Sequence, residues 1–206
     1  QRLREICTKH DILLIFDEVI TGFGRAGDVF GAQAFGVTPD IMNIAKCLTN
    51  GAIPMGAVIA SGEIYQTFMA AGGPEYAVEF PHGYTYSAHP VACAAAIAAL
   101  EIFQHEDMVG KVCTLAPYFE DGLHGLKGVK HISDIRNFGL AGALTIAAKP
   151  GEPLRRPYEI ALAMWERGFY VRWGGDTLQF APPFVAEKSD LDALFNTLND
   201  VIPTVA

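Results

Sequence analysis

No stretch of the 206-residue sequence stays apolar long enough to cross a membrane: the run at residues 91–100 falls far short of the ~20 residues that a helical span needs. Basic residues are scarce as well. Fifteen Lys and Arg face 23 Asp and Glu, for a formal net charge of -8, and they are scattered, so a phosphate backbone finds no basic stripe. Neither a membrane nor a nucleic acid is an expected partner. The four cysteines (Cys7, Cys47, Cys93 and Cys113) form no CxxC pair, and the six histidines lack the spacing of metal ligands. No metal site is expected, and the thiols read as reduced, which points to the cytoplasm. Charged residues make up only 18% of the chain against 50% hydrophobic, which excludes a disordered polypeptide, and no fixed period supports a collagen-like or coiled-coil rod. What is present is a packed globular chain of one domain or two.

The chain opens on Gln1 rather than methionine, and Leu3, Ile6 and Cys7 trace one helical face, so it reads as a piece of something longer that begins inside an element, without a targeting segment. Residues 12–16 form an unbroken apolar run ending at Asp17 and Glu18, the pattern of a parallel strand buried on both faces. Residues 22–36 are glycine-rich with room for a short helix. Residues 40–45 read as a second strand that delivers Lys46 to its end, and residues 54–60 as a third. A helix at 62–70, a long loop at 71–83 and a long alanine-rich helix at 89–105, with Pro90 in its first turn, complete an α/β region assigned to residues 1–105. The rhythm then changes. Helices near 108–123 and 157–167, a β-rich stretch at 132–147 and short strands at 169–173 and 177–181 describe a small α+β domain, residues 106–206. Ser189 is the expected N-cap of the last helix, with Asp192 completing a capping box.

Asp17 and Lys46 each close a strand, and ligands of such sheets gather at the strands' carboxyl ends. A lysine held in apolar surroundings loses hydration, its pKa falls, and the neutral amine forms a Schiff base with a carbonyl. A carboxylate nearby keeps a pyridine nitrogen protonated. Together they suit pyridoxal phosphate (PLP); they also read as a plain ion pair at a sheet edge, and spacing alone does not choose. Gly22, Gly24 and Gly27 spell a GxGxxG fingerprint that raises a NAD-dependent oxidoreductase as a remote alternative. Asp17, Glu18 and Asp28 crowd that loop with negative charge, and no crossover helix fits before Pro39. His82 and His89 bracket a further segment and read as hydrogen-bonded histidines.

Three phrases in order, IFDEVITGFGRAG, PDIMNIAKCLTNGAIPMGAVIAS and FPHGYTYSAHPVACAAA, resemble the class III PLP-dependent aminotransferases, and within them the ω-amino acid:pyruvate (β-alanine:pyruvate) branch. The resemblance implies a fold-type-I PLP transferase in which Asp17 contacts the pyridine nitrogen, Val19 packs on the ring and Lys46 carries the cofactor. It further implies that Thr85 binds the cofactor phosphate of a neighbouring subunit, hence a homodimer or higher oligomer, and that Arg172 closes on a substrate carboxylate, for which a planar guanidinium is suited. Gln179 and Ile20 depart from the ornithine-type branches. The substrates so implied are a small-molecule amino donor and a keto acid. In the family, the phosphate-binding loop and the aromatic ring that stacks on the cofactor precede the Asp strand, so the chain resembles the carboxyl half, three strands of the large sheet plus the small domain. Exposed apolar faces are therefore expected. A truncated, non-catalytic product that binds a partner is the alternative.

Overall fold

The computed structural model describes residues 1–76 and 80–205, and the chain divides into two compact units, Gln1–Val109 and Gly110–Ala206. The boundary read from the sequence, after His105, falls at the end of a helix just before this division.

In the first unit the elements are α1 (Arg2–Lys9), β1 (Ile15–Asp17), α2 (Gly31–Ala34), β2 (Ile41–Ile44), a 3-10 turn (Lys46–Leu48), β3 (Ala57–Ala60), α3 (Gly62–Ala71) and α4 (Pro90–His105). The sheet order is β1-β2-β3. β1 runs parallel to β2, with Asp17 opposite Asn43, and β3 is antiparallel to β2, with Ala57 opposite Ile44. Ser61 caps α3 by accepting the Ile64 N–H, and Pro90 opens α4 where a missing N–H costs nothing. Ala92, Ala96 and Ala99 give α4 a buried small-residue face. Ala96 packs in a cluster with Phe23, Ile44 and Leu48.

The apolar run at 12–16 yields a strand of only three residues, and it is not buried on both faces: Ile12, Leu13 and Ile15 are exposed. β1 lies at the edge of the sheet, and among the described residues nothing pairs its outer side or covers these side chains. Val58 and Ile59 of β3 are exposed too. The segment before β1 is tied down by polar contacts instead. Asp40 Oδ2 accepts the Leu14 N–H and a charged bond from Arg4 of α1, each at 2.6 Å.

The second unit consists of α5 (Met108–Gly125), β4 (Ile132–Phe138), β5 (Ala141–Ile146), α6 (Arg155–Glu166), β6 (Arg172–Gly174), β7 (Thr177–Phe180) and α7 (Lys188–Val201). Its four strands form an antiparallel sheet of order β4-β5-β7-β6. Alternation puts Leu144 and Ile146 of β5 and Leu178 and Phe180 of β7 inward, with Leu144 opposite Leu178. Helical spacing supplies the other wall: Val112, Leu115, Phe119 and Leu123 from α5, Ile160 and Met164 from α6, Leu191, Phe195 and Leu198 from α7. Each fully buried side chain of this size contributes roughly 1.5–3 kcal/mol.

Two details differ from the sequence reading. The strand expected at 169–173 begins at Arg172. Ser189 lies inside α7, whose N-cap is Glu187; Asp190, one turn in, reaches back to the Glu187 N–H at 2.8 Å. Asp192 is taken by the Tyr118 hydroxyl at 2.5 Å, so it is not available as a cap partner.

α5 and α7 approach closely because Gly122 has no side chain: a Cβ there would lie 2.3 Å from the Phe195 ring. Gly122→Ala is expected to destabilise the fold by about 1–3 kcal/mol through overpacking, despite the better helix propensity of alanine. Urea unfolding measures it, and an unchanged midpoint would contradict the close packing.

The Leu14 N–H first, and Arg4 second, hold the Asp40 carboxyl below the usual carboxylate range. A depressed folded-state pKa adds stability above the unfolded value of about 4, and that contribution disappears as the pH falls through the folded value. The stability gap between the wild type and Asp40→Asn should therefore narrow as the pH is lowered from about 5 toward about 2. A gap independent of pH over that range would show that the charge contributes nothing.

Candidate active site

Because β1 and β2 are parallel, both end at the same edge of the sheet. Asp17 is the last residue of β1, and the chain leaves β2 at Ile44 to enter the 3-10 turn at Lys46. The two strand ends thus bring Asp17 and Lys46 to one edge. Asp17 Oδ1 accepts the Val19 N–H at 3.1 Å, which folds half-buried Val19 back beside the carboxylate. Among the described residues no ion pair joins Asp17 to Lys46, so the plain ion-pair reading does not hold.

Lys46 is exposed, so the described residues of this chain do not themselves supply the apolar surroundings expected from the sequence. Its backbone φ is +48°, a conformation that costs a non-glycine residue about 1–3 kcal/mol unless its neighbours impose it. They do so here. Leu48 and Thr49 are buried, the Thr49 N–H donates to the Lys46 carbonyl at 3.2 Å, and the Thr49 hydroxyl donates to the Ile53 carbonyl at 2.7 Å. Burial draws the nearby Arg25 guanidinium below its ordinary range, an effect that Cys47 opposes.

Thr85 is exposed in the turn 85–88, where Ser87 Oγ accepts the Tyr84 N–H at 2.9 Å. The turn and the segment Ile53–Gly56 line a cleft of about 550 Å³ together with Tyr84, Tyr86 and His89. His89 Nδ1 is buried without a hydrogen-bond partner among the described residues, against the expectation of a satisfied histidine. Arg172 belongs to the second unit. It opens β6, is exposed, and lies opposite Gln179 of β7.

The GxGxxG loop is not built to hold a pyrophosphate. The N–H groups of Phe23 and Gly24 are spent on the Val29 carbonyl, that of Gly27 on Gly24, and that of Gly22 on Glu18. The helix that follows has four residues, and its first amides, Gly31 and Ala32, donate to the Glu18 carboxylate at 2.9 and 2.7 Å. A side chain with its own negative charge fills the place a phosphate would need, which removes the oxidoreductase alternative. The sequence marked Glu18 only as a negative charge beside the loop, and it did not single out Thr49. One signal was legible: alternation along β1 sends Glu18 to the side opposite Asp17, toward the glycine loop.

Comparison with known proteins agrees with this arrangement. The chain matches the aminotransferase class-III family over residues 1–202. It is 64% identical over 202 residues to the omega-amino acid–pyruvate aminotransferase of Pseudomonas putida, covering 98% of this chain and 45% of that protein. It is 61% identical over 206 residues to the beta-alanine–pyruvate aminotransferase of Pseudomonas aeruginosa, covering 100% and 46%. The chain therefore spans about half the length of these curated relatives, and matches their carboxyl half. Among solved structures, a PLP-bound amine transaminase from an uncultivated Pseudomonas species aligns with a TM-score of 0.90 at 34% identity, covering 100% of this chain and 47% of that one. An (S)-enantioselective omega-transaminase from Thermomicrobium roseum aligns with a TM-score of 0.89 at 34% identity, covering 98% and 46%. With its edge of paired strand ends and a family match along nearly its whole length, the chain belongs to the class III aminotransferases, a family of PLP-dependent enzymes.

Proposed function

We infer that this chain supplies the carboxyl half of a transaminase that moves an amino group from an ω-amino acid such as β-alanine, or from an amine, to pyruvate. The observation that carries the reading is the placement of Asp17 and Lys46 at the ends of adjacent parallel strands. The names of the two Pseudomonas relatives supply the substrate class.

The residues fit PLP. Asp17 Oδ2 and Lys46 Nζ have no partner among the described residues, and Val19 offers an apolar surface beside them. When bound, PLP supplies an electron sink for the bonds to the substrate carbon that carries nitrogen. Asp17 holds the proton at the pyridine nitrogen. Val19 would offer its apolar side chain to the cofactor ring. Lys46 Nζ would hold the cofactor and, as a free amine, would act as the base that moves the substrate proton. Thr85, exposed in its turn, donates its hydroxyl to a phosphate in the neighbouring subunit's site, which makes the working enzyme at least a dimer. Arg172 captures the carboxylate of the keto acid and of carboxylate-bearing donors. The cytoplasm is the proposed location, supported by four cysteines of which none is in a disulfide.

A full-length enzyme made by joining the amino half of the Pseudomonas putida relative to this chain tests the reading. Borohydride reduction with PLP should label the peptide containing Lys46, and Lys46→Ala should abolish both label and turnover. Label on Lys9, Lys111 or Lys127 would overturn the assignment, and no label with an intact fold would favour the non-catalytic alternative.

In the same enzyme, Arg172→Ala should raise the KM for pyruvate and β-alanine roughly ten- to two-hundredfold, the loss of one charge-assisted pair. The half-reaction of an amine without a carboxylate should stay near the wild-type rate. Equal losses for both donor types in single-turnover kinetics would assign Arg172 to the fold.

A further inference from the structure

Among the described residues of the first unit, two polar side chains are buried, Glu18 at 1% exposure and Thr49 at 3%. They occupy matching places: Glu18 directly follows Asp17 at the end of β1, and Thr49 follows Lys46 by one turn after β2. Glu18 has its carboxylate fully engaged. Oε2 accepts the Gly31 N–H at 2.9 Å and the Thr21 hydroxyl, and Oε1 accepts the Ala32 N–H at 2.7 Å. Its own N–H extends the pairing with β2 to the Asn43 carbonyl, and its carbonyl accepts the Gly22 N–H, both at 2.9 Å. Residue 18 is thereby bonded to β2 and to both ends of the loop that lies between.

Two glycines make room for this residue, Gly31 for its carboxylate and Gly22 for its backbone carbonyl. A Cβ on Gly31 would stand 3.1 and 3.3 Å from the two Glu18 oxygens, and one on Gly22 would stand 2.7 Å from the Glu18 carbonyl. At position 22 the approach to the backbone carbonyl leaves no room for a Cβ, and at position 31 a Cβ would crowd the carboxylate. Within the pattern that resembles a dinucleotide fingerprint, Gly22 packs on the Glu18 carbonyl, while the carboxylate itself is held by Thr21, Gly31 and Ala32 at the two ends of the loop.

Burying a carboxylate is costly, and its hydrogen bonds at best offset the lost hydration; a well-packed apolar group in its place is often no less stable. What the carboxylate supplies is direction. Asp17 is paired in the sheet on one side and residue 18 is locked on the other, and Oδ1 accepts the Val19 N–H, which together limit the orientations open to Asp17 Oδ2. Thr49 does the same for Lys46, whose left-handed backbone is kept by the bonds from Thr49 N–H to Lys46 and from the Thr49 hydroxyl to Ile53.

The geometry points to Glu18 and Thr49 as a pair of positioning residues, Glu18 setting Asp17 and Thr49 setting Lys46, so that both groups meet one ligand. This rests on the roles given to Asp17 and Lys46 above. The test uses the full-length enzyme and the variants Glu18→Gln and Thr49→Val, with Leu144→Ala in the core of the second unit as a control for lost stability. Four quantities are read: the visible spectrum of bound PLP, the rate of borohydride labelling at Lys46, amide exchange at residues 21–32, and the melting temperature. Glu18→Gln should expose the Gly31 and Ala32 amides to exchange, change the spectrum and slow labelling at least about tenfold, the loss that follows removal of a bond to a charged group. Thr49→Val should slow labelling while those amides stay protected. Leu144→Ala should lower the melting temperature and leave spectrum and labelling rate unchanged. Should Glu18→Gln not fold, Gly31→Ala, which pushes the loop amide off the carboxylate, takes its place with the same expectation. A wild-type spectrum and labelling rate in either variant would overturn the role of that residue, as would equal changes in the Leu144→Ala control. A wild-type enzyme labelled elsewhere than Lys46 would instead overturn the underlying assignment, and the proposal with it.

Discussion

Parallel pairing of β1 with β2 is the constraint on which the rest depends. Two strands joined in that sense end at the same edge, so a carboxylate at the end of one and an amine just beyond the other come together without any contact between them. Antiparallel pairing would send them to opposite edges. The ladder from Ile15–Ile41 to Asp17–Asn43, continued by the bond from Glu18 N–H to Asn43, is short, yet it sets the positions of the groups from which the proposed chemistry is built.

The two units use different means of stabilisation. The second has a continuous apolar core in which helices and sheet interlock, with Phe119, Leu123, Leu144, Ile160, Leu178 and Leu198 wholly buried. The first has a small cluster around Phe23, Ile44, Leu48 and Ala96, leaves Ile12, Leu13, Val58 and Ile59 on its surface, and relies on polar ties such as Asp40 with Leu14 and Arg4. Exposed apolar side chains on both α1 and the sheet agree with a chain that spans about half the length of its curated relatives. Where the core is thin, precision at the sheet edge comes from satisfied buried polar groups, which are directional in a way that apolar packing is not.

Much of the architecture was legible along the chain because its causes are local. Helix-forming composition marked α4, a further helix and a β-rich stretch were read where α5 and the β4–β5 pair lie, Pro90 marked a helix start, and the charge at the ends of two apolar runs marked Asp17 and Lys46. The misreadings share a different origin. Ser189 looked like a cap by residue type, yet the cap went to Glu187 because Asp190 reached back to it while Asp192 was drawn to Tyr118 on another helix. The run at 12–16 looked buried because apolar residues usually are, but burial is a property of the layers present, and β1 is an edge strand.

By itself the sequence determined the class of fold, the order of elements and the pair of residues that suggest Schiff-base chemistry, since hydrophobic period, charge placement and motif order are properties of neighbours along a chain. Only the tertiary structure decided that Asp17 and Lys46 share an edge without an ion pair, and that Lys46 is exposed in a left-handed turn. It also decided that the glycine loop closes on Glu18 rather than on a phosphate. Each of these depends on which N–H, carbonyl or side chain arrives from a distant segment, and the glycines at 22 and 31 acquire their meaning only when the Glu18 carbonyl and carboxylate they respectively meet are in place.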